Sequence, residues 1–343
     1  MKNNFRSLFI VVLAIVAGFG GVFYVIKTDT ILVSGMPANT STSAERIREL
    51  ITKRDKIFHV YAVGDIMLSR GVEAKVNRAG GDYNLPFRLI SDDLNQADLV
   101  FANHEGPMSD LGGDQGGKYS FRFDTKFAQM LAGAGVDIVS LANNHMFDWG
   151  KDALCDTPAQ LKQVDIDSVG AGCDSARANK PSIQTLDDGT RIAFIAYQNL
   201  LPNKWASAGD NRPGMSNFDR QEIVKTIQGL QNNDIADLIF VSIHWGAEYK
   251  TRSNIDQQNL AHEWIDAGAD VVIGHHPHVA QEIERYGNGW IIYSLGNFIF
   301  DQSWSEETMR GLLADIQIQN GEVSDVQSNK IQLTNDFQPY IVK

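Results

Sequence analysis

Six short segments of this sequence carry residues able to hold a metal ion or move a proton: Gly64-Asp65, Asn103-His104-Glu105, Asn143-Asn144-His145, His244-Trp245-Gly246, Gly274-His275-His276-Pro277-His278 and Ser294-Leu295-Gly296-Asn297. Of the eight histidines in the chain, only His59 and His262 fall outside these segments. A single histidine after an apolar run is usually structural. Asp, Glu, Asn and several His together offer the mixed nitrogen and oxygen ligation that suits first-row divalent ions such as Mn, Fe or Zn. Asp65 and Glu105 bring the negative charge a dication needs, and Asn144 brings a neutral oxygen. His276-x-His278 can aim two imidazoles at neighbouring positions from a tight loop held by Pro277.

The elements that must position these groups are legible in the apolar pattern. The runs 59–63, 99–102, 136–141, 192–197, 238–243, 271–273 and 290–295 read as buried strands. Between them Phe127/Met130/Leu131, Ile223/Ile227/Leu230 and Leu260/Trp264/Ile265 have helical spacing. Alternation of this kind predicts an α/β body, and sheets of that class place ligands in the crevice beyond the carboxyl ends of their strands. All six segments fall at such ends. Residues 312–318, followed by Asn320-Gly321-Glu322-Val323, predict a closing hairpin.

Several other chemistries are excluded. Gly112-Gly113-Asp114-Gln115-Gly116-Gly117-Lys118 starts like a phosphate-binding loop, but Tyr119 replaces the Ser/Thr that would hold magnesium. Residues 119–123 alternate like a strand where such a loop must open a helix, so a glycine loop at the rim of the site is expected instead. No Gly-x-Ser-x-Gly elbow supplies a nucleophile. The 2 cysteines, Cys155 and Cys173, have no Cys-x-x-Cys spacing; they could pair, but buried free thiols are the commoner state. A formal charge of −12 over 343 residues argues against nucleic acid, which needs clustered cations.

That charge is unevenly spread. Residues 1–56 carry +4 and residues 57–343 carry −16. Ser7 to Ile26 is a run of twenty uncharged, mostly apolar residues, long enough to cross hydrocarbon as a helix and without a small-x-small exit. The expected organisation is an uncleaved membrane anchor (1–27), a stalk with a short helix (28–56) and a folded body (57–343). Lys2 and Arg6 favour a cytoplasmic amino terminus, which puts the body outside the membrane.

The ordered motifs Gly64-Asp65-Ile66-Met67, Asn103-His104-Glu105-Gly106-Pro107, Leu141-Ala142-Asn143-Asn144-His145, His244-Trp245-Gly246-Ala247-Glu248-Tyr249, Gly274-His275-His276-Pro277-His278-Val279 and Ser294-Leu295-Gly296-Asn297 resemble those of the CapA family of poly-γ-glutamate capsule synthesis, also called PgsA. The family is similar to the calcineurin-like metallophosphoesterases. That resemblance implies a four-layer α/β/β/α sandwich, with one or two divalent ions. It implies Asp65, Glu105, Asn144, His244, His276 and His278 as metal ligands, with His275 an alternative to His276, and His145 as acid or charge stabiliser. Met67 stands where the phosphoesterases have a ligating His, so a single or asymmetric centre is expected. His104 stands where an apolar residue is more usual, and either points away or adds a ligand.

Two functions follow from the resemblance. In the first, the body is a metal-dependent hydrolase of a phosphoester or amide, with Arg70 clamping a substrate carboxylate or phosphate. In the second, it is an accessory that binds poly-γ-glutamate or another anionic polymer without cutting it, alongside other membrane subunits of the capsule machinery. The −16 body repels a polyanion at long range, so either reading needs local positive charge in the cleft.

Overall fold

Short apolar runs with turn residues between them build two sheets packed face to face. The computed structural model describes residues 26–27, 30–31 and 56–342. Ile26–Lys27 pairs antiparallel with Thr30–Ile31. Ile26, the last residue of the expected membrane span, therefore lies in a strand; the remainder of that span and the stalk helix lie outside the described residues. Among the described residues no helix is long and apolar enough to cross a membrane.

The elements of the body are β1 (Phe58–Ile66), α1 (Arg70–Arg78), β2 (Leu99–His104), α2 (Phe127–Gly133), β3 (Ile138–Ser140), α3 (Gly150–Lys162), β4 (Asp167–Val169), β5 (Ser182–Thr185) and β6 (Arg191–Gln198). They continue with α4 (Arg220–Asn232), β7 (Leu238–His244), α5 (Ile255–Asp266), β8 (Val271–His275), β9 (Ile283–Tyr286), β10 (Gly289–Ile292) and β11 (Asn297–Ile299). Last come β12 (Arg310–Gln319), β13 (Glu322–Leu333) and β14 (Pro339–Ile341). Shorter turns of helix and two-residue bridges join them.

The first sheet runs β14-β13-β12-β1-β2-β3-β4, with β11 paired to the end of β1. The second runs β9-β10-β8-β7-β6-β5. β1 to β4 are parallel, as are β6, β7, β8 and β10, so both sheets send the carboxyl ends of their central strands to loops rich in His and Asn.

The alternation of side chains assigns the layers. Phe58, Val60, Ala62 and Phe101 of the first sheet meet Phe194, Phe240, Val271 and Ile273 of the second, with Phe101 stacked on Phe194 at 5.4 Å. The opposite face of the second sheet, through Ile239, Val241, Ile243 and Val272, packs on Ile223, Ile227 and Leu230 of α4 and Leu260 and Trp264 of α5. Val63, Ile66, Val100 and Val139 on the opposite face of the first sheet pack on Val72 and Val76 of α1, Phe127 and Leu131 of α2 and Leu154 of α3. The order is helix, sheet, sheet, helix. Both faces of each central strand are covered, which is why these strands read as nearly continuous apolar runs. Each fully buried Val, Leu, Ile or Phe contributes roughly 1.5–3 kcal/mol.

The helices are capped where the sequence permits. Asp219 accepts from the amides of Gln221 and Glu222 at the start of α4, and Asn254 with Gln257 forms a capping box at the start of α5. The closing hairpin turns at Asn320 and Gly321, both at positive φ (57° and 76°), the conformation a two-residue type I′ turn requires.

Three expectations need correction. Residues 119–123 form no strand; Phe123 makes one isolated bridge to Met108. The expected strand 290–295 ends at Ile292, because the chain turns away to bring Ser294–Asn297 across the end of β1. Cys155 and Cys173 are joined in a disulfide, so they are not free thiols.

Candidate metal centre

The centre begins at an irregularity in β1. Ala62 pairs with Phe101 and Asp65 pairs with Asn103, so β1 spends one residue more than β2 over the same span. Such a bulge re-aims the side chains beyond it. Gly64 sits in the bulge, where a Cβ would run into the carbonyl oxygen of Gly296; its absence lets Asp65 N donate to that oxygen at 2.9 Å. Asp65 is thereby fully buried between the ends of β2 and β8.

Alternation along β2 sorts the next three residues. Asn103 and Glu105 fall on one side and His104 on the other. The imidazole of His104 packs on Phe123 with centroids 4.6 Å apart, and its Nδ1 lies 2.8 Å from the carbonyl oxygen of Gly106. Burial among these groups lowers its pKa to about 4. His104 therefore points away from the centre. Glu105 is fully buried, and its Oε1 accepts no hydrogen bond.

β7 and β8 pair in register at His244 and His275, which puts the second sheet's imidazoles beside the first sheet's carboxylates. One ligand atom each from Asp65, Glu105 and His244 lie within 4.8 Å of one another, all three residues buried. A second group with the same spread consists of Glu248, His276 and His278. The two groups adjoin, since His278 Nε2 is 3.6 Å from Glu105 Oε1. His275 belongs to neither group: its Nδ1 is 3.3 Å from Asp65 Oδ1, yet neither ring nitrogen makes a hydrogen bond.

Asn144 reaches the centre through His244, whose Nε2 is 2.9 Å from its Oδ1. His145 Nδ1 lies 2.7 Å from Asp148 Oδ2, and its ring stacks on Phe121 at 3.9 Å. That leaves His145 Nε2 facing Glu105 Oε1 at 3.9 Å. Arg70 is committed elsewhere. Its Nη2 and Nε donate to both oxygens of Asp301, at 2.8 and 3.2 Å, so its fork is already filled by a carboxylate. The sulfur of Met67 accepts from the amide and hydroxyl of Ser69.

Residues that carried no assignment in the sequence hold the centre together. Asn103 Nδ2 donates to Asp65 Oδ1 at 2.9 Å and to Glu105 Oε2 at 3.2 Å. Its own Oδ1 accepts from Asn143 Nδ2 at 3.3 Å, and Asn143 Oδ1 accepts the amide of His145. Asn297 Oδ1 is 3.0 Å from His278 Nδ1. The period-two rule that puts Asn103 beside Glu105 was available as a signal; the contacts of Asn143 and Asn297 depend on loop geometry.

Electrostatics separate the two central carboxyls. Burial opposes ionisation of Asp65, but His275 and His278 outweigh it and hold this carboxyl well below the usual range. Burial and then the Asp65 charge push Glu105 well above it. Burial also drives His244 well below its ordinary value and His276 down to about 3. His278 is raised to about 9, because Glu105 and Asp65 outweigh its burial. Glu105 Oε1, both ring nitrogens of His275 and His276 Nδ1 are buried without hydrogen-bond partners. Groups left so are expected to have a further partner, and carboxyl oxygens with imidazole nitrogens are a donor set that fits a divalent cation, whose binding would displace the protons that Glu105 and His278 hold without it.

Residues 59–302 match the family model described as bacterial capsule synthesis protein PGA_cap, and the chain belongs to that family. It is 37% identical over 249 residues to the capsule biosynthesis protein CapA of Bacillus anthracis, covering 71% of this chain and 60% of that protein. It is 32% identical over 256 residues to the PGA biosynthesis protein CapA of Bacillus subtilis, covering 74% of this chain and 66% of that one. The chain thus matches less than two thirds of the length of either relative. A phosphatase from Mycoplasma pneumoniae superposes with a TM-score of 0.48 at 13% identity, covering 81% of this chain and 94% of the other.

Proposed function

We propose that the protein serves poly-γ-glutamate capsule synthesis or export as a metal-dependent hydrolase, cutting an amide or phosphoester of an anionic substrate. The observation that carries this reading is the buried group Asp65, Glu105 and His244, with ligand atoms within 4.8 Å of one another and Glu105 Oε1 unpaired. These residues, with Asn144 alongside, would hold a divalent ion such as Mn, Fe or Zn. When bound, such an ion supplies Lewis-acid polarisation and a water made acidic enough to react near neutral pH. His145 is the proton donor to the leaving group: Asp148 engages Nδ1 and so turns Nε2 toward the centre. Phe121 stacked on the ring keeps that orientation.

Arg70, paired with Asp301, orients the start of α1, and the pair is neutral overall; a substrate carboxylate reaches its fork only by displacing Asp301. The apolar run before Ile26 supports an anchored chain with its body outside the membrane, in contact with other capsule subunits. The Cys155–Cys173 disulfide fits an oxidising compartment. The test is to purify the full chain without chelator, measure its metal by elemental analysis, and incubate it with poly-γ-glutamate. Metal-dependent shortening of the polymer supports hydrolysis; polymer binding that survives chelation with no product would replace it by the non-catalytic accessory role.

A further inference from the structure

We propose that the metal centre lies partway along a track for an extended anionic polyamide strand, with Trp205 and Trp304 as the binding platforms on its two sides. This rests on the reading above that the substrate is an anionic polymer, and it adds a mode of action. A strand held on both sides of the centre is engaged, and cut, at an internal bond.

The exposed aromatic area is concentrated at the mouth of the centre. Of the six tryptophans in the chain, only Trp205 and Trp304 are exposed, at 47% and 59%. Burying such a ring is among the larger apolar gains a fold can make, so rings left out together beside a cleft mark a contact surface. Trp205 packs on Phe147 with centroids 5.1 Å apart, and both line a cavity of about 610 Å³ together with Asn144 and the glycine loop at Gly112 and Gly113. Trp304 packs edge-on against Tyr249 at 5.8 Å, and the ring of Tyr249, itself 43% exposed, lies 6.3 Å from that of His278.

The contacts between these two ends run through the centre. Asn144 Oδ1 is 2.9 Å from His244 Nε2, and ring centroids are 4.9 Å apart from His244 to His276 and 5.7 Å from His276 to His278. The backbone holds Tyr249 in this line. Its amide donates to the carbonyl of Pro277 at 2.8 Å, stitching the loop after β7 to His276-Pro277-His278, and its φ of 63° is one that few bulky residues adopt.

Charge along the track lets an acidic body hold a polyanion. Lys151 lines the Trp205 cavity, Lys204 precedes Trp205 and Lys250 follows Tyr249; all three are exposed and make no ion pair among the described residues. By contrast Lys56, Lys75, Lys126, Lys162 and Lys225 are each paired with an Asp or Glu. Asp152 lines the same cavity and Glu248 adjoins Tyr249, so the lysines act as spaced points of contact and not as a uniformly positive groove. Each unit of poly-γ-glutamate offers a free carboxylate for a lysine and a pair of methylenes for an indole face. Exposed contacts of this kind are individually weak, so affinity grows with the number of units that reach both platforms.

The experiment measures the affinity of the full chain, loaded with Mn2+, for poly-γ-glutamate of increasing length by calorimetry, and follows the products by size-exclusion chromatography. The wild type is expected to bind long polymer about tenfold more tightly than short oligomers, and to lower its mean length before single units appear. Trp205→Ala and Trp304→Ala are each expected to weaken binding of long polymer about fivefold, with bound Mn2+ unchanged by elemental analysis and folding checked by circular dichroism. Wild-type affinity in both variants overturns the track, and with cutting retained it leaves the hydrolase standing. Loss in one variant only, or release of single units from an end, overturns the two-sided arrangement. Loss in both variants with no product from the wild type keeps the track as a binding site and overturns the hydrolase. A folded wild type that does not bind poly-γ-glutamate overturns both.

Discussion

The two ends of the same parallel strands use the same residue types to opposite effect. At the amino ends, Asp98, Asp137, Asp237 and Asp270 each stand just before their own strand. Each accepts a hydrogen bond from a backbone amide of the neighbouring strand: His59, Val100, Arg191 and Ile239, at 2.7 to 2.8 Å. The amide of each Asp donates in return to the carbonyl of that same residue. Each Asp and its partner residue are thus joined by a reciprocal pair of hydrogen bonds. At the carboxyl ends, Asp65, Glu105, His244, His275 and His276 are buried, whereas the four aspartates are exposed or half-buried, and several polar atoms of the carboxyl-end group have no partner. The two ends therefore differ in burial as well as in pairing. Several buried and unpaired polar atoms gathered at one place mark a site that awaits a ligand, whereas a strand cap is paired and partly open to solvent.

The sharpest way to break this contrast is to remove a ligand at the carboxyl ends. Asp65→Asn keeps the shape and the contact with Asn103 while removing the charge. It is expected to abolish bound metal and metal-dependent turnover, a loss exceeding the roughly 10–100-fold typical of residues that only orient ligands. Elemental analysis and turnover check it, and full metal content in the variant would show that the unpaired atoms are not ligands. Asn103→Leu is the next test. It removes the amide that donates to both Asp65 and Glu105, and is expected to weaken Mn2+ binding by about 10–100-fold without abolishing it. Calorimetry on the folded variant measures this; wild-type affinity would make Asn103 a packing residue.

How far each end was legible in the sequence follows the same division. The central strands and the three long-spaced helices stood out because burial on both sheet faces writes apolar runs, and one-sided packing writes helical spacing. Helix α3 did not, because Pro158 and several polar residues interrupt its pattern and only Ala153, Leu154, Thr157 and Leu161 are buried. The edge strands β5 and β9 are short and largely polar, as expected of strands covered on one side only. The carboxyl-end ligands were recognisable as a set of residue types. Glu248 was not singled out, because its place depends on a turn whose stitching to Pro277 has no local signature. The amino-end caps were present in plain form, as an Asp before each of Leu99, Ile138, Leu238 and Val271, but such an Asp reads as a loop residue until the neighbouring strand is known.

The amino ends predict effects on stability alone. Asp137→Ala leaves the amide of Val100 without its acceptor and is expected to cost about 1–3 kcal/mol, with metal content unchanged. Urea unfolding measures it, and a change in bound metal would mean the two ends are coupled. The smallest effect is a matter of pH. Burial, and then the charge of Glu322, raise the carboxyl of Asp270 from 3.8 to about 6 in the folded chain. The native state therefore holds this proton where the unfolded chain has lost it, so stability attributable to Asp270 is full below about pH 4 and is lost as pH rises through 6. Asp270→Asn can keep an oxygen facing the amide of Ile239 and cannot ionise. Its unfolding free energy should match the wild type near pH 4 and exceed it by roughly 1–2 kcal/mol at pH 8. An equal difference at both pH values would show that Asp270 ionises in the folded chain as readily as in the unfolded one, and that its closed hydrogen bonds compensate fully for its burial.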